Sequence, residues 1–158
     1  METTTHHLAQ INIGRMRAPL DTPVMADFVA QLDEINALAE RSPGFVWRLT
    51  GQGNDATSLR PFDDDFIIVN MSVWESLDDL RAYVYKGAHT AVMRRRREWF
   101  EQFESVYLAL WWVEAGHLPT VKEAKQRLLH LEAHGPTAEA FTFKQPFAPP
   151  AVLELAER

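Results

Sequence analysis

The residues that could do chemistry begin with His89 and Arg96, in a helical stretch from about Ala88 to Phe103. At a helical period, with Val92 at the origin, Met93, Trp99, Phe100 and Phe103 share one arc of roughly 120°. His89 projects at roughly 60° and Arg96 at roughly 40°, inside that apolar arc, while Arg94, Glu98 and Glu101 fall outside it. Seven residues of helix separate the two by two turns, ~10.5 Å. An imidazole can pass a proton near neutral pH, and a guanidinium can hold a carboxylate or phenolate through paired hydrogen bonds. A polar pair on a buried face is costly unless satisfied. It marks either a site or a structural network, with Arg96 against a buried acid and His89 on a backbone carbonyl.

Four further polar residues, Asn12, Arg48, Asn70 and Ser72, fall within strand-like runs. Asparagine is depleted in strands, so Asn12 and Asn70 either face a pocket or bond a bulge or turn. Of the five tryptophans, Trp47, Trp99, Trp111 and Trp112 read as core, and Trp74, at a strand end, suits a cavity mouth. His130 and His134 flank Glu132 but lack the order of a zinc protease helix. They also lie off the Val121, Ala124, Leu128, Leu131 face, so both read as solvated. Asp63 to Asp65 lacks the spaced ligands and glycine of a calcium loop. The chain has no nucleophile elbow, phosphate loop or dinucleotide fingerprint.

The elements that must position these residues are legible from periodicity. Leu8 to Ile13 alternates as a strand, with Ala9, Ile11 and Ile13 on one face and Leu8, Gln10 and Asn12 on the other. Thr22-Pro23 opens a helix and Ser42-Pro43-Gly44 stops it. Between them Met25, Phe28, Leu32, Ile35 and Ala39 form one apolar stripe. Phe45, Trp47 and Leu49 alternate with Val46, Arg48 and Thr50 in a second strand. A polar loop, Gly51 to Asp65, is expected to be mobile and to lie near the pocket mouth. Phe66 to Trp74 is a third strand, and Leu77, Leu80 and Val84 begin a short helix. Tyr107 to Val113 is a fourth strand, and Thr120 to Glu123 is a capping box for a helix that His134-Gly135-Pro136 closes. Ala140 to Lys144 reads as a last short strand. This order predicts an α+β, ferredoxin-like antiparallel sheet with helices on one face. Residues 1–145 form the single domain and 146–158 a proline-rich arm.

At 158 residues and a net charge of −6, the chain suits one domain and lacks the basic face that nucleic acid needs. It has no cysteine, so neither disulfides nor thiolate metal sites form. No apolar run reaches the ~20 residues of a membrane span, and Met1 to His7 has no secretory h-region, so the expected location is cytoplasmic.

The quoted stretches also resemble a known group. Leu8 to Asn12, Ile35 to Glu40, Ser42 to Leu49, Arg97 to Phe100, Trp111 to Val113 and Gly116 to Pro119 resemble an uncharacterised bacterial family of the dimeric α+β barrel superfamily, which includes antibiotic-biosynthesis and heme-degrading monooxygenases. The resemblance implies a dimeric barrel and a small-molecule enzyme, monooxygenase-like or proton-transferring, acting on an apolar or aromatic metabolite. Its rivals are a non-catalytic ligand-binding dimer and a heme-binding or heme-degrading protein. Heme-degrading members use an Asn on the first strand, a Trp on the helix after the third strand, and a His further along. Asn12 and His89 sit where two of these are expected, and Tyr83 lies nearest the Trp position. The expected pocket is lined by Asn12, Trp47, Asn70, Trp74, Tyr83, His89 and Arg96. In it His89 relays a proton, and Arg96 and Asn12 stabilise an oxyanion.

Both faces of the third strand are apolar, so the face away from the helices is expected to be covered by a second copy of the chain. Placing a carboxylate there should break the dimer or abolish folding. Val69→Asp and Ile68→Asp, one for each face, should be compared by light scattering. A well-folded native monomer of the unmodified chain would sink the expectation.

Overall fold

The computed structural model describes residues 6–50, 64, 66–85, 94–102 and 106–150. Strand β1 (His6–Met16) is central and longer than its alternating core suggested. It pairs antiparallel with β3 (Ile67–Trp74), placing Leu8 opposite Trp74, Gln10 opposite Ser72 and Asn12 opposite Asn70. Along its other edge it pairs with β5 (Leu108–Glu114), with Gln10 opposite Leu110. Near its end it pairs with the two-residue β4 (Phe100–Glu101). The edge strand β2 (Phe45–Arg48) pairs with β3. Helix α1 (Ala26–Glu40) lies between β1 and β2 in sequence, and α2 (Leu77–Val84) and α3 (Arg96–Trp99) lie between β3 and the last strands. The sheet order β2-β3-β1-β5, antiparallel throughout, is ferredoxin-like.

Local chemistry sets the element ends. After Thr22, Pro23–Met25 forms a 3-10 turn leading into α1. Gly44 turns the chain with φ +81, and a Cβ there would collide with the Asp79 carboxylate. Ser76 caps α2 by accepting the Asp79 N–H at 3.1 Å. Thr120 caps α4 (Val121–His134) by accepting the Glu123 N–H at 3.0 Å.

Helices α1 and α2 cover one face of the sheet. There Leu8, Trp74 and Leu110 pack with Ala39, Leu80 and Phe141, and Met16 and Ile68 pack with Met25 and Trp99. The opposite face carries Ala9, Ile11, Val69, Met71, Ala109 and Trp111. The sequence left that face open. Instead α4, appended after the four-strand unit, lays Ala124, Leu128 and Leu131 on it and packs against β5 and β1. Trp111 is wholly buried there, its Nε1 donating to Glu123 Oε2 at 2.9 Å. At the β2 edge Val46, Trp47 and Leu49 stay half-buried on that face.

Two elements differ from their sequence patterns. The long helix stops at Trp99. Phe100 is extended (φ −127, ψ 142) and pairs with Met16, because sheet pairing at the end of β1 overrides the helical period. Its apolar arc therefore does not run on through Phe100, and Ala88 to Met93 lie outside the described residues, as does nearly all of the Gly51 to Asp65 loop. At Ala140 to Lys144 the chain makes a single bridge, Phe141 exchanging backbone bonds with Leu110 at 2.8 and 2.9 Å. The arm begins packed: Trp112 Nε1 donates to the Phe147 carbonyl at 2.9 Å.

Packing α4 on the apolar face makes a direct stability prediction. Leu128→Ala should cost about 2–5 kcal/mol, the range for truncating a buried leucine. Urea unfolding with an unchanged midpoint would show that α4 does not hold the core.

Candidate functional site

A cavity of about 1010 Å³ lies between α1, α2 and the face of the sheet they cover. Its floor is a polar cluster on β1 and β3. Gln10, buried at 5% exposure, donates through Nε2 to Asn70 Oδ1 at 2.7 Å and to Ser72 Oγ at 2.8 Å. Its Oε1 accepts from Asn12 Nδ2 at 3.0 Å, and the same Asn12 nitrogen reaches Asn70 Oδ1 at 3.2 Å. Trp74 Nε1 donates to Ser72 Oγ at 2.8 Å. Counting donors and acceptors gives what remains. The Asn70 NH₂, the Asn12 Oδ1 and the Ser72 O–H have no further partner among the described residues. Two donor groups and one acceptor are therefore free to meet a carbonyl, hydroxyl or enol oxygen.

One wall is aromatic. Tyr83 on α2 stacks on Trp74, with ring centroids 5.1 Å apart and planes 27° from parallel. Its hydroxyl donates to the Ile35 carbonyl of α1 at 3.3 Å. Burial pushes its pKa well above the ordinary tyrosine value, against an opposing pull from the Arg48 charge. Tyr83 is thus a neutral phenol. Phe28, Leu32 and Ile35 of α1 face the same space, and Asn36, buried at 8%, lines it too.

Arginines supply the charge. Arg48 is nearly buried and pairs with Glu40 at 2.9 Å. Arg96 on α3 lines the cavity, with its guanidinium carbon 4.8 Å from the centre of the Tyr107 ring and 5.9 Å from that of Phe100. Its neighbour Arg95 points elsewhere, bonding Asp27 at 2.8 Å and Glu98 at 2.9 Å.

The cavity brings together Asn12, Asn70, Trp74, Tyr83 and Arg96. His89 lies outside the described residues. Trp47 is not in the lining, and the cause is a register shift in β2 between Phe45 and Trp47. Phe45 pairs with Trp74 and Trp47 with Val73, so the extra residue turns Trp47 to the α4 face and brings Arg48, opposite Ser72, to the cavity face. Gln10 and Asn36 also line the cavity, outside the residues expected there from the sequence. Gln10 had a signal, because its alternation with Leu8 and Asn12 already placed it on this face. Asn36 had one as well, four residues beyond Leu32 on the α1 stripe.

Comparison with known families gives one match over nearly the whole chain. A family model described as a domain of unknown function, DUF3291, matches residues 7–156. The chain belongs to the DUF3291 family. No curated protein matches it. Solved structures similar to this DUF3291 chain include SnoaB, a cofactor-independent oxygenase from Streptomyces nogalater, 18% identical, covering 74% of this chain and 98% of its own, at a TM-score of 0.46. A Nitrosomonas europaea protein of unknown function is 16% identical over 74% of this chain and 98% of its own, at 0.45. A heme-degrading protein of Mycobacterium tuberculosis is 16% identical over 73% and 98%, at 0.40.

The environment of Tyr83 sets a pH dependence. Its folded pKa is raised, so its contribution to stability is fully present below the ordinary value of about 10 and is lost as pH rises above it. Ultraviolet titration should leave one tyrosine un-ionised until the protein unfolds in alkali, and Tyr83→Phe should remove that lag. A phenol titrating at the ordinary value would contradict the buried stack.

Proposed function

We propose that this DUF3291 protein is a small-molecule enzyme that takes an apolar or aromatic metabolite into the cavity and acts on it by monooxygenase-like or proton-transfer chemistry. The observation that supports this reading is the contrast inside the cavity: mostly apolar walls over one amide and hydroxyl cluster with unused hydrogen-bonding groups. The Asn70 NH₂ and the Ser72 O–H orient a ligand oxygen. Asn12 and Arg96 fix its position and charge. His89 is the proposed proton carrier on its sequence position alone. The protein works in the cytoplasm as a homodimer, joined at the β2 edge of the sheet beside α4, where Val46, Trp47 and Leu49 remain half-buried. Among the described residues no helix is long and apolar enough to cross a membrane.

Heme does not fit the described lining. That lining holds no histidine, cysteine or methionine among the described residues, and the Tyr83 hydroxyl is turned onto the Ile35 carbonyl. A second reading, a non-catalytic ligand-binding dimer, is favoured by a different observation. No carboxylate or imidazole, the usual proton acceptors, lines the cavity among the described residues.

Oxygen uptake and product analysis on a panel of phenols and enolisable diketones separates the two. The enzyme reading expects turnover of at least one compound, falling by on the order of 10²–10³ in Asn70→Ala, a variant that also takes one partner from the Gln10 amide and so should lose about 1–3 kcal/mol of stability while still folding. Binding without turnover across the panel supports the second reading. No binding at all would remove both.

A further inference from the structure

We propose that the ligand of this cavity is an organic acid, and that its carboxylate, or a comparable fixed anion, docks on Arg96. The inference rests on the reading of the cavity as a small-molecule site and adds the ligand's charge.

The charges around the cavity are one-sided. Arg48, Arg81, Arg96 and Lys144 line it, and no Asp or Glu does among the described residues. The whole chain carries a net charge of −6, so this positive lining runs against the bulk composition. Local charge of one sign in a partly enclosed, low-dielectric space selects ligands of the opposite sign more strongly than the same charges would in water.

Within that lining two cations lack a hydrogen bond or a carboxylate among the described residues, Arg96 and the exposed Lys144, and of the two only Arg96 carries a planar fork. Arg48 has Glu40 at 2.9 Å, and Arg81 donates to the Phe143 carbonyl at 3.2 Å. Arg95, adjacent in sequence, is saturated by Asp27 and Glu98. Arg96 has neither a hydrogen bond nor a carboxylate among the described residues. Its recorded contacts are the Tyr107 and Phe100 rings. Aromatic rings attract the cation but do not match its N–H fork as a carboxylate does. The two rings therefore hold the guanidinium at the cavity wall without a counter-ion, and a planar anion would match its fork through two parallel bonds. The aromatic body of the same ligand would lie against Tyr83, which the wholly buried Trp74 backs from the core, with its other oxygen at Asn12 and Asn70.

Two fluorescent probes with one ring skeleton test the charge. The anionic 8-anilinonaphthalene-1-sulfonate and the uncharged N-phenyl-1-naphthylamine should be titrated against the full chain. The expectation is that wild type prefers the sulfonate by at least ~10-fold, and that Arg96→Gln removes ~10-fold of sulfonate affinity while amine affinity stays within ~2-fold. Competition on the unmodified protein, which needs no variant to fold, should show benzoate displacing the sulfonate probe and benzyl alcohol failing to. Equal or tighter binding of the neutral amine, an unchanged preference in folded Arg96→Gln, or equal displacement by benzyl alcohol would overturn the anion inference and leave the cavity reading intact. If neither probe binds wild type, both fall together.

Discussion

A buried amide tolerates very few surroundings. Gln10 sits at the middle of the central strand with both ends of its side chain bonded, to Asn12 on its own strand and to Asn70 and Ser72 across the ladder. That arrangement exists only in the observed register of β1 against β3. A slip of one residue would turn Gln10 and Asn12 onto the α4 face, among Val69, Met71 and Trp111, where nothing could satisfy them. The polar cluster and the apolar face therefore enforce one another. The site is part of what fixes the sheet.

The edge strand shows how one backbone irregularity decides what a site contains. The shift between Phe45 and Trp47 exchanges an indole for a guanidinium on the cavity face. Arg48 then stands close enough to Tyr83 to pull its ionisation down, but burial wins and the phenol stays neutral. The stacked Trp74 and Tyr83 consequently form a wall that keeps its charge state across the physiological range, leaving charge in the cavity to the arginines.

Much of the fold was legible because it is written in periods and caps. The alternation of β1, the Thr120 cap, the stop at Gly44 and the order of elements all follow from local chemistry and reappear where expected. The site was legible in part. Asn12, Asn70, Trp74, Tyr83 and Arg96 stood out as polar or aromatic residues at unusual positions, and the cavity gathers them. Trp47 did not follow its alternation, since a bulge leaves no mark on a run of four residues. The end of the long helix at Trp99 was equally hidden. A helical period and a short strand share the Trp99-Phe100 pair, and only the pairing partner, Met16, decides between them. The covering of the second face by α4 was hidden because an amphipathic helix declares that it packs, never on what.

The segment after α4 contributes more than a finish to the chain. Thr142, Phe143 and Lys144 form part of the cavity lining, and the Phe143 carbonyl holds Arg81 of α2. The four strands and two helices of the ferredoxin-like unit thus supply the floor and one wall, while a stretch outside that unit supplies another part of the boundary. Framework and selectivity are therefore carried by separable pieces of sequence. Changes within 142–144 can reshape the chamber without touching a single strand pairing of the central sheet, so chains sharing this framework can differ in what they admit.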